Sequence, residues 1–111
     1  MNKLRNETQF TIGDESHLMR PTFDCMIGIE ERTGKTIPSF QQLIMSQTFS
    51  VTDTVAVLVE GTKTNEEPLA EADAQLLIET HGILEVQEAL YDFIVTMLRG
   101  GPAFEESAKK K

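Results

Sequence analysis

A chain of 111 residues has room for one domain, with roughly two-thirds of its unfolded surface buried in a single modest core. Apolar content of 40% and charged content of 25% suit a folded globular protein and argue against a disordered one. All eighteen acids lie between Glu7 and Glu106, opposed there only by Arg20, Arg32, Lys35, Lys63 and Arg99; such a body repels a phosphate backbone, so nucleic-acid binding is not expected.

Cys25 is the single cysteine, so no intramolecular disulfide is expected, and the N-terminus carries no apolar signal core. The apolar run Val55 to Val59 is far short of the ~20 residues that span a bilayer. The expected location is the cytoplasm, with no membrane association.

Taken in order, residues 1–6 read as a flexible end, and residues 8–20 as a β-hairpin. Phe10 and Ile12 alternate with Gln9 and Thr11, Gly13-Asp14-Glu15-Ser16 supplies turn residues, and His17-Leu18-Met19 restarts an extended run. Thr22 can cap a helix over about 22–33 whose apolar face is Phe23, Met26 and Ile27, with Arg32 in its last turn and Gly34 past its end. Ser39 is placed to cap a short helix over 39–47, with Phe40, Leu43 and Ile44 on one face.

Thr52 or Ser50 can cap a segment over 52–60 that Gly61 stops. Its β-branched core, Val55 to Val59, fits a buried strand as well as a buried helix turn, and periodicity does not separate the two. Thr62 to Pro68 reads as a surface loop. A helix over 69–81 buries Leu76 and Leu77 and ends at His81 and Gly82; a longer one over 83–99 carries a stripe of Ile83, Val86, Leu90, Phe93 and Met97, widened by Ile94 and Leu98 and closed by Gly100-Gly101. Residues 102–111 read as a flexible tail. The predicted fold is mainly α with a small N-terminal hairpin (α+β), about five helices in one domain over 7–101.

Chemistry has few candidates. His17, Cys25 and His81 are the only soft metal ligands and show no ligand spacing. The acidic groups Asp24, Glu30, Glu31 and Glu66, Glu67, Glu71, Asp73 suit wet helix faces and helix openings better than a Ca²⁺ loop. No phosphate-binding glycine loop and no Gly-x-Ser-x-Gly occurs. No catalytic residue, metal or cofactor is expected. The broad stripe of the last helix packs inside the monomer or serves self-association or a partner.

The order Leu18-Met19-Arg20-Pro21-Thr22-Phe23, then Ile29-Glu30-Glu31-Arg32-Thr33-Gly34-Lys35, then a short helix, resembles the tail assembly chaperones of phages and gene transfer agents, also labelled gene transfer agent tail tube proteins. The likeness covers about Phe10 to Gly101, and departs from it at Cys25, Met26 and Ile27 and at Val55 to Val59, bulkier than the Ala-rich pattern. It implies that Val55 to Val59 is helical. It further implies a non-enzymatic chaperone, made in the bacterial host, that binds the tape measure protein before tail tube subunits polymerise around it. Phe40, Leu43, Phe93, Ile94, Met97 and Leu98 are the expected contact residues. The resemblance further implies that the terminal lysines mark a programmed frameshift; the plainer reading of them is a solvated tail. The alternatives are a structural component of the tail, tube or connector, and an acidic mimic of nucleic acid that blocks a basic protein.

Overall fold

Thr8–Ile12 (β1) and Glu15–Met19 (β2) form an antiparallel hairpin in the computed structural model of the protein, which describes residues 7–100. The expected flexible ends, 1–6 and 102–111, and the terminal lysines lie outside the described residues. The turn is shorter than the polar cluster suggests: Ile12 pairs with Glu15, leaving two residues between strands. Gly13 takes φ 58°, which a leading glycine supplies without strain. Phe10, Ile12 and Met19 face inward and are buried.

Six helices follow: Phe23–Thr33 (α1), Ser39–Ser46 (α2), Val51–Gly61 (α3), Glu71–His81 (α4), Ile83–Ala89 (α5) and Tyr91–Arg99 (α6). The Thr22 hydroxyl caps α1 by accepting from Cys25 N–H, and Gly34 ends it in the left-handed region at φ 72°. Ser39, by contrast, is inside α2 and donates to the Thr36 carbonyl, so it is not the cap.

The ambiguous segment is helix. Ser50 and Asp53 form a reciprocal capping box at its start, and α3 packs against α1, α4 and α5. With neighbours on several sides, Ala56, Val57 and Leu58 are all buried, which is why the run is apolar all round and lacks helical periodicity. Gly61 is not the stop expected of it. It belongs to the last turn of α3, where a Cβ would fall on Met19 Cε and close to Phe93; its carbonyl accepts the Arg20 N–H at 3.1 Å.

Two apolar faces differ from expectation. In α1 the inward residues are Cys25 and Ile29, while Phe23 is 73% and Ile27 38% exposed. The helix meets α3 through its small side, with Gly28 against Glu60, rather than through its largest side chains. In α4, Leu77 is buried with Ala74 but Leu76 is 61% exposed.

The helix expected over 83–99 breaks at Leu90 (φ −88°, ψ −6°), whose side chain is fully buried. The break lets α5 pack on β1, α3 and α4 while α6 packs on β1 and α2. Gln87 fixes α5 by donating to the Phe49 carbonyl at 2.7 Å and the Thr54 hydroxyl at 3.1 Å. Among the described residues no helix is long and apolar enough to cross a membrane.

Candidate partner-binding groove

The expected contact residues divide sharply. Phe40, Phe93 and Ile94 are at most 1% exposed and Met97 is 8% exposed; Phe40 stacks edge-on against Phe49 with ring centroids 5.6 Å apart. These side chains build the core, and a partner would have to open the fold to touch Phe40, Phe93 or Ile94. Leu43 and Leu98 are half-buried against it. The broad stripe is needed inside because the break at Leu90 turns two of its sections towards different neighbours.

An apolar face left exposed belongs to α1. Phe23, Met26, Ile27 and Glu30 follow one another at helical spacing and form one wall of an open groove of about 520 Å³. Ile37, Pro38 and Gln41 form the α2 side, and Met97, Leu98 and Arg99 the α6 side. Of the expected contact residues Met97 and Leu98 border the groove, whereas Phe23, Met26, Ile27, Ile37 and Pro38 are not among those expected. Their signal was legible as an apolar helix face. Only its direction differed.

Glu30 lies along the groove wall and its carboxylate accepts the Ile37 N–H at 2.8 Å, fixing the entry to α2 against the end of α1. Most bases of the fold are spent internally. Arg20 pairs with Glu7 at 2.7 Å, Lys35 with Asp53 at 3.1 Å, and Lys63 with Glu60 at 2.8 Å; Arg32 reaches Glu60 at 2.7 Å and Glu71 at 2.9 Å. Sixteen acids stand against five bases between residues 7 and 100, so the accessible surface is predominantly negative.

Behind this wall, Glu60 joins α1, α3 and the following turn. Burial pushes its carboxyl up, but hydrogen bonds and charge from Lys63 and Arg32 outweigh that and hold it below its ordinary value. The Arg32 guanidinium is raised by its bonds to Glu60 and Glu71, and the Lys63 ammonium by its bond to Glu60. Burial, with the Glu60 charge nearby, pushes the Cys25 thiol up to about 12; it stays protonated at neutral pH and packs as a small apolar group.

A second cleft of about 310 Å³ runs between the hairpin and α4, where His17 and His81 both line it with Glu15 and the exposed Leu76. His17 Nε2 is 3.1 Å from Glu15, and the His81 ring closes on Gly13, where a Cβ would come 2.9 Å from Cε1. Among the described residues no three His, Cys, Asp or Glu side chains form a metal-holding group. Met45, Val51, Leu84 and Tyr91 are further exposed apolar residues.

Comparison with known proteins returns no match to any family model, curated protein or solved structure.

Proposed function

We propose that this protein is a non-enzymatic tail assembly chaperone of a phage, prophage or gene transfer agent, which binds the tape measure protein and keeps it soluble until tail tube subunits replace it. The observation that carries this reading is the open apolar groove beside α1 on a strongly acidic body. The order of caps and stops from Leu18 to Lys35 is what carries the resemblance, and a hairpin followed by helices is the plan that the resemblance implies.

The physical need is specific. A long helical protein with apolar stripes aggregates when naked; a small domain that covers part of a stripe with its own groove and presents acids to solvent prevents that. No nucleotide-binding motif is present in the sequence, so release in this scheme comes from competition by tail tube subunits, which bury the same stripes more completely.

Co-expression with the tape measure protein encoded near the gene, then pull-down and size exclusion, tests the proposal. A soluble complex with many copies per tape measure chain is expected. An insoluble, unbound tape measure protein would remove the main support, and abundant copies in purified particles would favour a structural tail component instead.

A further inference from the structure

We infer that the groove between α1, α2 and α6 docks a single amphipathic helix whose apolar stripe is bordered by Lys or Arg on the side facing α1. This holds whether or not that helix belongs to a tape measure protein.

Three observations converge on that occupant. The α1 wall presents Phe23, Met26 and Ile27 as a ridge at three- and four-residue spacing, into which the side chains of a crossing helix can interlock. Phe23 and Ile27 keep large apolar surfaces in water while Leu98 is only partly covered, so a helix laid there removes apolar area from solvent at both walls. The border of the same wall carries three acids against one base: Glu30 lines it and accepts the Ile37 N–H, Asp24 and Glu31 lie beside Ile27 around the helix, and Lys63, paired with Glu60, reaches the Asp24 carbonyl at 3.2 Å.

Charge then chooses among occupants. A second copy of this chain would bring another strongly acidic body against the first, and a nucleic acid would bring phosphates; both meet repulsion. A basic-bordered helix meets attraction instead. Among the described residues Arg99, at the α6 end, is the one base in the lining, which directs the partner's cations towards α1 rather than towards α6.

The test uses the full chain and synthetic amphipathic peptides of about four helical turns, measured by fluorescence anisotropy at moderate salt. A Leu/Lys peptide is expected to bind saturably, one per chain. A Leu/Glu peptide of identical pattern, and a Lys/Ser peptide of equal charge without an apolar stripe, are each expected to bind at least about tenfold more weakly, a difference of about 1.4 kcal/mol.

The double variant Phe23→Ser with Ile27→Ser, confirmed folded by its thermal melt, should weaken the Leu/Lys peptide at least about tenfold, and Glu31→Lys should weaken it and not the Leu/Glu peptide. Equal binding of all three peptides, unchanged binding by the double variant, or a wild-type dimer that the double variant dissociates would overturn the inference. A protein that solubilises its tape measure partner yet fails these peptide tests would overturn the groove assignment and leave the chaperone proposal standing.

Discussion

Gly28 of α1 and Glu60 of α3 face each other with no room for another carbon: a Cβ on residue 28 would fall on the Glu60 carboxylate, which Arg32 holds at 2.7 Å and Lys63 at 2.8 Å. The contact joins the groove wall to the central helix.

Gly28→Ala is therefore predicted to destabilise the protein although alanine is the better helix former. The carboxylate would have to leave Arg32 and Lys63, and overpacking of this kind costs about 1–3 kcal/mol against a propensity gain of about 1 kcal/mol. Urea denaturation should show a lowered midpoint. In a Glu60→Ala background the same change should stabilise; additive effects would show that the two residues are not coupled.

The Glu60 carboxyl is held below its ordinary value of 4.5 because Lys63 and Arg32 outweigh the effect of burial. A group depressed in the folded state contributes stability above its unfolded value and loses it as pH falls through the folded one. The advantage of wild type over Glu60→Gln should accordingly be constant near neutral pH and shrink below about pH 4.5. A thermal-melt series from neutral to acid pH measures this; an advantage that grew on acidification would refute it.

Phe23 and Phe93 predict opposite behaviour for the same residue type. Phe23→Ala should change stability by less than about 0.5 kcal/mol, as surface changes do, because the ring is 73% exposed. Phe93→Ala should cost about 3–5 kcal/mol, because its ring is 1% exposed. Paired urea titrations decide it, and comparable losses would mean that Phe23 is covered.

Cys25 should be inert to a thiol reagent such as a disulfide dye while the protein is folded, since the thiol is buried and pushed up to about 12. Reaction should begin only where denaturant unfolds the chain. Fast labelling of the native protein would contradict the packing of α1.

Much of the fold was legible in the residues that cap and stop helices. Thr22, Gly34 and Gly82 act at element ends as their chemistry requires, and Ser50 with Asp53 starts α3. Less legible was anything set by what lies opposite a residue. Phe23 and Ile27 of α1 point outward because the inward contact with α3 needs a glycine beside the buried Glu60 carboxylate, a tertiary fact that no periodicity carries. Gly61 reads as a helix stop from sequence and is instead a close-packing site below Met19 and Phe93. The break at Leu90 has no glycine or proline to announce it. Hence Phe93, Ile94 and Phe40 were expected at a partner surface and lie in the core, while the groove is walled by the face expected to be buried.

The most direct test of the central claim is co-purification of the tape measure protein with wild type and with the Phe23→Ser, Ile27→Ser double variant, at low and moderate salt. Wild type is predicted to retain a soluble complex at both, and the double variant, folded and equally expressed, to lose it. A double variant that holds the tape measure protein as well as wild type, or a wild type that never binds it, would contradict the account.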